Sequence, residues 1–167
     1  MSLYEASVPQ FVKFLGNLDK WLDKAEAYAK SKNFDPQVLL QARLAPDQFN
    51  FIRQVQIATD TSKLGSARIA GKQPPKFADN EQTVPELRSR IANTIAFLET
   101  LTPKDFEGAA ERRVTVGEKS ALARDHLFDH VIPTFYFHVT TAYAILRHNG
   151  VDVGKRDYLG EKREQPA

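Results

Sequence analysis

Apolar residues recur every three or four positions along four long stretches of the chain, with polar residues filling the intervals. From about Pro9 to Lys32, Val8, Phe11, Leu15, Leu18, Leu22, Ala25 and Ala29 step onto one face, while Lys13, Lys20, Asp23 and Lys30 lie off it. That period predicts an amphipathic helix that needs a partner. Asp35-Pro36 can open a short helix through Arg43, and Leu44-Ala45-Pro46-Asp47 reads as a break followed by a new start. The spacing then predicts a second long helix from Pro46 to about Ala70, closed near Gly71, with its apolar stripe centred on Val55 and flanked by Phe51, Ile52 and Ala58. Gly71-Lys72-Gln73-Pro74-Pro75-Lys76 reads as a loop, because consecutive prolines resist both regular structures.

Thr83-Val84-Pro85-Glu86 carries the signature of a helix start: a capping threonine, proline in the first turn and glutamate three residues on. Leu87, Ile91, Thr94, Leu98 and Leu101 continue the third stripe until Thr102-Pro103 ends it. The fourth helix is predicted from Pro133 to Asn149-Gly150, with Phe135, Val139, Ala142, Ile145 and Leu146 on its inner side. Val151 supplies the apolar contact that often accompanies a glycine cap. Between the last two helices, residues 103–132 are less regular. Arg113-Val114-Thr115-Val116-Gly117 suits one short extended stretch, and Ala121 to His130 a helical turn or two. From Gly154 the chain reads as a loosely held polar tail. The expected architecture is all-α: a four-helix bundle forming one domain over residues 1–160, with a polar tail over 161–167. The linker between the second and third helices is long enough for a crossover, so helix order is left open.

Composition narrows the function classes. The chain has 167 residues, 42% of them apolar and 26% charged, as in an ordinary globular domain. It has no cysteine, which removes disulfides, thiolate metal sites and cysteine nucleophiles together and fits a cytoplasmic setting. A formal net charge of +2 argues against nucleic acid as a partner. Neither a signal-peptide pattern nor an apolar run of roughly 18 residues is present, so no membrane association is expected.

Bundles build sites from polar side chains on inward faces. The candidates are Glu26 on the first helix, Gln48, Gln54, Gln56 and Thr59 on the second, Thr94 on the third and His138 on the fourth. A buried imidazole must find a hydrogen-bond partner. The plain reading of His138 is therefore a core residue bonded to an amide or hydroxyl such as Gln48 or Thr94; the alternatives are a metal ligand, an acid–base group or a pocket wall. His126 and His130 are four apart, a spacing that suits a metal if the segment is helical, although ordinary surface residues satisfy it equally. His148 in a last helical turn needs only the helix dipole to account for it. Motifs for an activated serine, a phosphate-binding loop or a His-Glu-x-x-His zinc site are absent.

Leu44-Ala45-Pro46-Asp47 leading into Arg53-Gln54-Val55-Gln56-Ile57-Ala58, and the run from Phe135-Tyr136-Phe137-His138 through Asn149-Gly150, resemble an uncharacterised branch of the DinB/YfiT-like superfamily. The resemblance covers nearly the whole chain. It implies a four-helix bundle, a homodimer and a pocket inside the bundle. It also implies relatives that use a divalent metal for thiol transfer or isomerisation, held by one histidine on helix two and two on helix four spaced four apart. His138 matches the second helix-four ligand, but Thr134 stands four residues before it and helix two has no histidine. Three readings remain. The first is a homodimeric bundle with an internal small-molecule pocket and a degenerate metal site. The second is a metal-dependent transferase or isomerase in which His138, with His130 or His126, holds zinc, nickel or manganese. The third is a structural or interaction protein whose aromatic helix-four face forms the dimer.

Overall fold

The computed structural model describes residues 2–161. Its elements are α1 (Leu3–Lys32), α2 (Gln37–Gln41), α3 (Phe51–Ala70), α4 (Val84–Glu99), β1 (Arg113–Val116), β2 (Lys119–Leu122), α5 (Ala123–His126), α6 (Ile132–His148) and α7 (Lys155–Leu159). Turns of 3₁₀ helix at Pro103–Phe106 and Ala109–Glu111 follow α4, and a π-helical segment at Leu127–Val131 joins α5 to α6.

The bundle is α1, α3, α4 and α6. Each of α1 and α3 packs on both α4 and α6. Phe11 meets Phe135, Phe14 meets Tyr136 and Trp21 meets Tyr143, so α1 and α6 run parallel. Gln54 meets His138 while Gly65 meets Val131, so α3 runs against α6. Arg88, early in α4, bonds Asp19, Asp23 and Glu26 of α1, while Phe106 beyond its end packs on Tyr4; α4 therefore runs against α1. Helices α3 and α4 are thus parallel, and the chain between them must return the length of the bundle. It does so as an extended strap, residues 71–83, that retraces α3 from its end: Lys72 N–H bonds Ala67 O, Phe77 lies against Lys63, and Glu81 bonds Gln56. This is the crossover that the linker length permits.

The predicted stripes form the core. Phe11, Leu15, Leu18 and Leu22 of α1, Phe51 and Val55 of α3, Leu87, Ile91 and Leu98 of α4, and Phe135, Val139 and Ile145 of α6 are all buried. Each large aliphatic or aromatic side chain so buried contributes about 1.5–3 kcal/mol. The Thr83–Glu86 capping box opens α4 where the motif predicts it. Gly150, at φ +93°, follows α6, and Val151 N–H closes on Leu146 O with the valine buried.

Several boundaries differ from the sequence reading. Helix α1 begins at Leu3, because Ser2 and Glu5 form a capping box ahead of Pro9, which the helix accommodates in its second turn. Helix α3 begins at Phe51 rather than Pro46: Ala45 to Gln48 make a turn, and the Asn50 side chain accepts from Arg53 N–H as the cap. The expected single extended stretch is one arm of a β-hairpin. Val116 pairs with Lys119 across Gly117-Glu118, and Gly117 takes φ +59°, the positive angle of a tight hairpin loop. The last helical run starts ten residues before Pro133, at Ala123, since α5, the π segment and α6 are continuous.

The chain after Gly154 is docked rather than loose. Helix α7 lies on α1, where Asn17 Nδ2 donates to Tyr158 O at 2.9 Å, Trp21 Nε1 to Asp157 O at 3.1 Å, and Lys24 pairs with Asp157 at 2.7 Å. The Trp21 indole stacks on Tyr158. Residues 162–167 of the expected polar tail lie outside the described residues.

Candidate functional site

The inward polar residues separate into three groups rather than meeting in one pocket. The first centres on Arg90 of α4, whose side chain is 1% exposed. Its Nε donates to Thr59 Oγ1 at 2.7 Å, Nη1 to Asp79 at 2.7 Å and Glu81 at 2.9 Å, and Nη2 pairs with Asp60 at 2.9 Å. Lys63, also buried, pairs with Asp60 and lies over the Phe77 ring. Arg53 bonds both Asp79 and Gln56, and Gln56 Nε2 donates to Glu81. Arg53, Lys63 and Arg90 therefore face Asp60, Asp79 and Glu81, three cations against three carboxylates.

Burial would raise the Asp79 and Glu81 carboxyls. Hydrogen bonds outweigh it, from Arg90 and Arg53 to Asp79 and from Arg90 and Gln56 to Glu81, and hold both below the usual range. Thr94 lies one turn beyond Arg90 and spends its hydroxyl on Arg90 O at 2.8 Å. Candidate residues Thr59, Gln56 and Thr94 thus belong to a network that fastens the strap to α3 and α4, buried at Arg90 and reaching solvent at Asp79 and Arg53. Arg90 itself was legible: it falls between Leu87 and Thr94 in an apolar stripe, where a charge must be paired.

The second group is His138 and Gln54, 2.7 Å apart between Nδ1 and Oε1. Gln54 Nε2 donates to Phe49 O, so its oxygen must accept and the His138 proton sits on Nδ1. The partner is an amide, as the plain reading requires, but it is Gln54 rather than Gln48 or Thr94. Burial, and then the charge of Arg53, push the half-buried imidazole below its ordinary pKa. Gln48 lies in the turn before α3, where its carbonyl accepts from Arg43. Glu26 sits across the bundle as one of three carboxylates on Arg88.

The third group is His126 and His130. Their rings stack at 5.5 Å with 22° between planes. One face of the pair borders a cleft of about 340 Å³, walled by Val114, Val116 and Ala121 of the hairpin and by Asp129. The other borders a recess of about 170 Å³ against Thr61, Leu64 and Arg68 of α3. Close approach here depends on Gly65: a Cβ in its place would stand 2.5 Å from Val131 Cγ1. A π-helical segment, a feature frequent at functional sites, carries His130. His126 is 8% exposed, and its Nε2 is buried with no hydrogen-bond partner, a condition shared among the described residues only by Ser66 Oγ. Burial first, then the charges of His130 and Arg68, hold His126 below its ordinary pKa, so it is neutral at pH 7.

The pair of histidines spaced four apart on the last helical run is therefore His126 and His130, not Thr134 and His138. A three-histidine centre still does not assemble. Toward the pair, α3 presents Thr61, Leu64 and Arg68, none of them a histidine. Asp60, on the same recess, is held by Arg90 and Lys63. Among the described residues, three histidine, cysteine, aspartate or glutamate donors nowhere converge as a metal site requires. The residues present do not fit the metal that the resemblance implies. No helix of the described residues is long and apolar enough to cross a membrane.

Comparison with known proteins agrees with this architecture. The family described as Domain of unknown function (DUF1993) matches residues 3–159. A crystal structure of a DinB family member protein from Shewanella denitrificans is similar at 49% sequence identity and a TM-score of 0.94, covering 99% of this chain and 96% of that one. No curated protein matches the chain.

Proposed function

Because the chain belongs to the DUF1993 family and has the DinB-type bundle, we propose that it is a homodimeric small-molecule-binding protein. Its site is the cleft between the β-hairpin and the His126–His130 stack, and it works without a tightly bound metal. The observation that carries this reading is the buried, unpartnered Nε2 of His126, a residue that lines the cleft. A buried polar atom left unpaired costs about 1–3 kcal/mol, which a ligand's hydrogen bond offsets. A cleft of about 340 Å³ is at the lower end of ordinary ligand pockets, roughly 300–1,000 Å³. Its walls combine Val114, Val116 and Ala121 of the hairpin with polar groups from both the hairpin and the helix, the mixture that orients a small ligand. A ligand atom reaches that buried nitrogen only when the His130 ring, stacked over His126, moves aside.

The dimer part of the reading rests on Phe137 and Phe49, 56% and 54% exposed, beside the linked His138–Gln54–Phe49 set. Exposed aromatics grouped in this way mark contact surfaces.

The test is a ligand-observed NMR screen of a diverse fragment panel against the full chain, with His126→Ala in parallel. Binders that are lost in the variant, with the helical circular dichroism signal retained, are the expected result. A panel that yields no binder, or binders indifferent to the variant, overturns the reading. Elemental mass spectrometry after growth with added zinc, nickel and manganese tests the metal-free part. Background metal is expected; near one metal per chain, lost in His130→Ala, would instead favour a metal-dependent transferase.

A further inference from the structure

The His126–His130 stack has a cavity on each side, and the two sides differ in charge. The hairpin side is apolar at Val114, Val116 and Ala121 and carries Lys119 together with the carboxylates of Asp125 and Asp129. The α3 side carries Arg68 and the hydroxyl of Thr61. Arg53, Arg88, Arg90 and Arg124 each pair with a carboxylate. Arg68 is exposed and, among the described residues, has neither a carboxylate partner nor a side-chain hydrogen bond. The nearest acid on its recess, Asp60, is already held at 2.9 Å by both Arg90 and Lys63. On the hairpin side Asp125 is paired with Arg124, which leaves Lys119 and Asp129, of opposite charge, and no net cation there.

We propose that the two cavities form one bipartite site for a small amphipathic carboxylate, its headgroup on Arg68 and Thr61 and its apolar body across the His126–His130 stack against Val114, Val116 and Ala121. The proposal rests on the small-molecule reading above and gives it a ligand class and an orientation. A guanidinium stays charged at every physiological pH and offers two parallel N–H groups to a carboxylate. One cation and one hydroxyl match a monoanion better than a dianionic phosphate. On the hairpin side the formal charges of Lys119 and Asp129 offset each other and the walls are Val114, Val116 and Ala121, so the apolar body goes there. The influence of Arg68 on His126 is consistent with a positive field over the stack.

The experiment is isothermal titration calorimetry on the full chain with hexanoate, hexanamide and hexyl phosphate, repeated on Arg68→Gln. The expected result is hexanoate binding about tenfold more tightly than hexanamide, the scale of one charge-assisted contact. That preference disappears in Arg68→Gln while hexanamide affinity is unchanged, and hexanoate shifts the ring resonances of His126 and His130. Equal binding of hexanoate and hexanamide overturns the anion assignment and leaves the small-molecule reading standing. So does a hexanoate affinity untouched by Arg68→Gln. Preference for hexyl phosphate overturns the carboxylate in favour of a phosphate ester. If no hexyl compound binds while neutral fragments do, the anion site alone fails; if neither binds, both readings fail. Arg68 is exposed, so the variant folds, and its melting temperature checks this.

Discussion

Arg90 Nη1 donates to Glu81 Oε1 at 2.9 Å, joining the buried face of α4 to the strap that precedes it. This contact, with its neighbours Asp79 and Asp60, lets a charged linker lie along two parallel helices without an unpaired charge. Removing the cation leaves three carboxylates facing only Lys63 and Arg53. Breaking a buried ion pair by deleting one partner costs about 3–5 kcal/mol. Arg90→Met is expected to lower unfolding stability by that amount in urea titrations. Arg90→Lys recovers little, because one ammonium cannot reach Thr59, Asp60, Asp79 and Glu81 together.

The same network sets the acid side of stability. Asp79 and Glu81 are held below their ordinary values of 3.8 and 4.5, and bonds from Lys72 and Thr102 bring Asp105 to about 2. A carboxyl with a lowered folded pKa contributes stability that is full above its unfolded pKa and is lost as pH falls through the folded value. His126 and His138 act in the same direction at higher pH. Burial is the main cause holding both below 6.5, so the unfolded chain takes up their protons first and stability declines as pH drops through 6.5. Unfolding free energy is expected to fall in two stages, near pH 6.5 and again below about pH 4.5. The double variant Asp79→Asn/Glu81→Gln should flatten only the second stage.

Gly65 and Val131 can be tested as a pair. A methyl group on Gly65 meets the Val131 side chain, so Gly65→Ala is expected to destabilise by the about 1–3 kcal/mol typical of overpacking. Val131→Ala in the same chain opens room for it, and the double variant should be more stable than the sum of the single effects. Additivity in a double-mutant cycle would mean that the contact does not limit how closely the helices pack.

Phe137→Glu is expected to convert the proposed dimer into a monomer in sedimentation velocity while the melting temperature changes little, since the side chain is exposed. A dimer that survives the change would place the interface elsewhere.

The sequence by itself determined the helices and their inner faces. Apolar spacing marked all four bundle helices, and the Thr83–Glu86 box and the Asn149-Gly150 end fixed boundaries to within a residue, because period and capping are local properties. The start of α1 is equally local, a Ser2–Glu5 capping box that lies ahead of Pro9. The hairpin was half legible: Gly117 marked its turn, while the second arm, Lys119-Ser120-Ala121-Leu122, has no alternation to announce it. Tertiary structure alone decided which inward polar residues meet. Sequence spacing places Thr59, Thr94 and His138 on inner faces, but only the parallel course of α3 and α4 turns Thr59 toward Arg90, and only the antiparallel course of α3 and α6 sets His138 against Gln54. The stack of His126 on His130, with Arg68 across the recess, required a helical run continued through a π turn and a glycine that lets α3 approach it. Such contacts depend on how helices are paired and directed along the bundle axis, and a hydrophobic period carries no record of either.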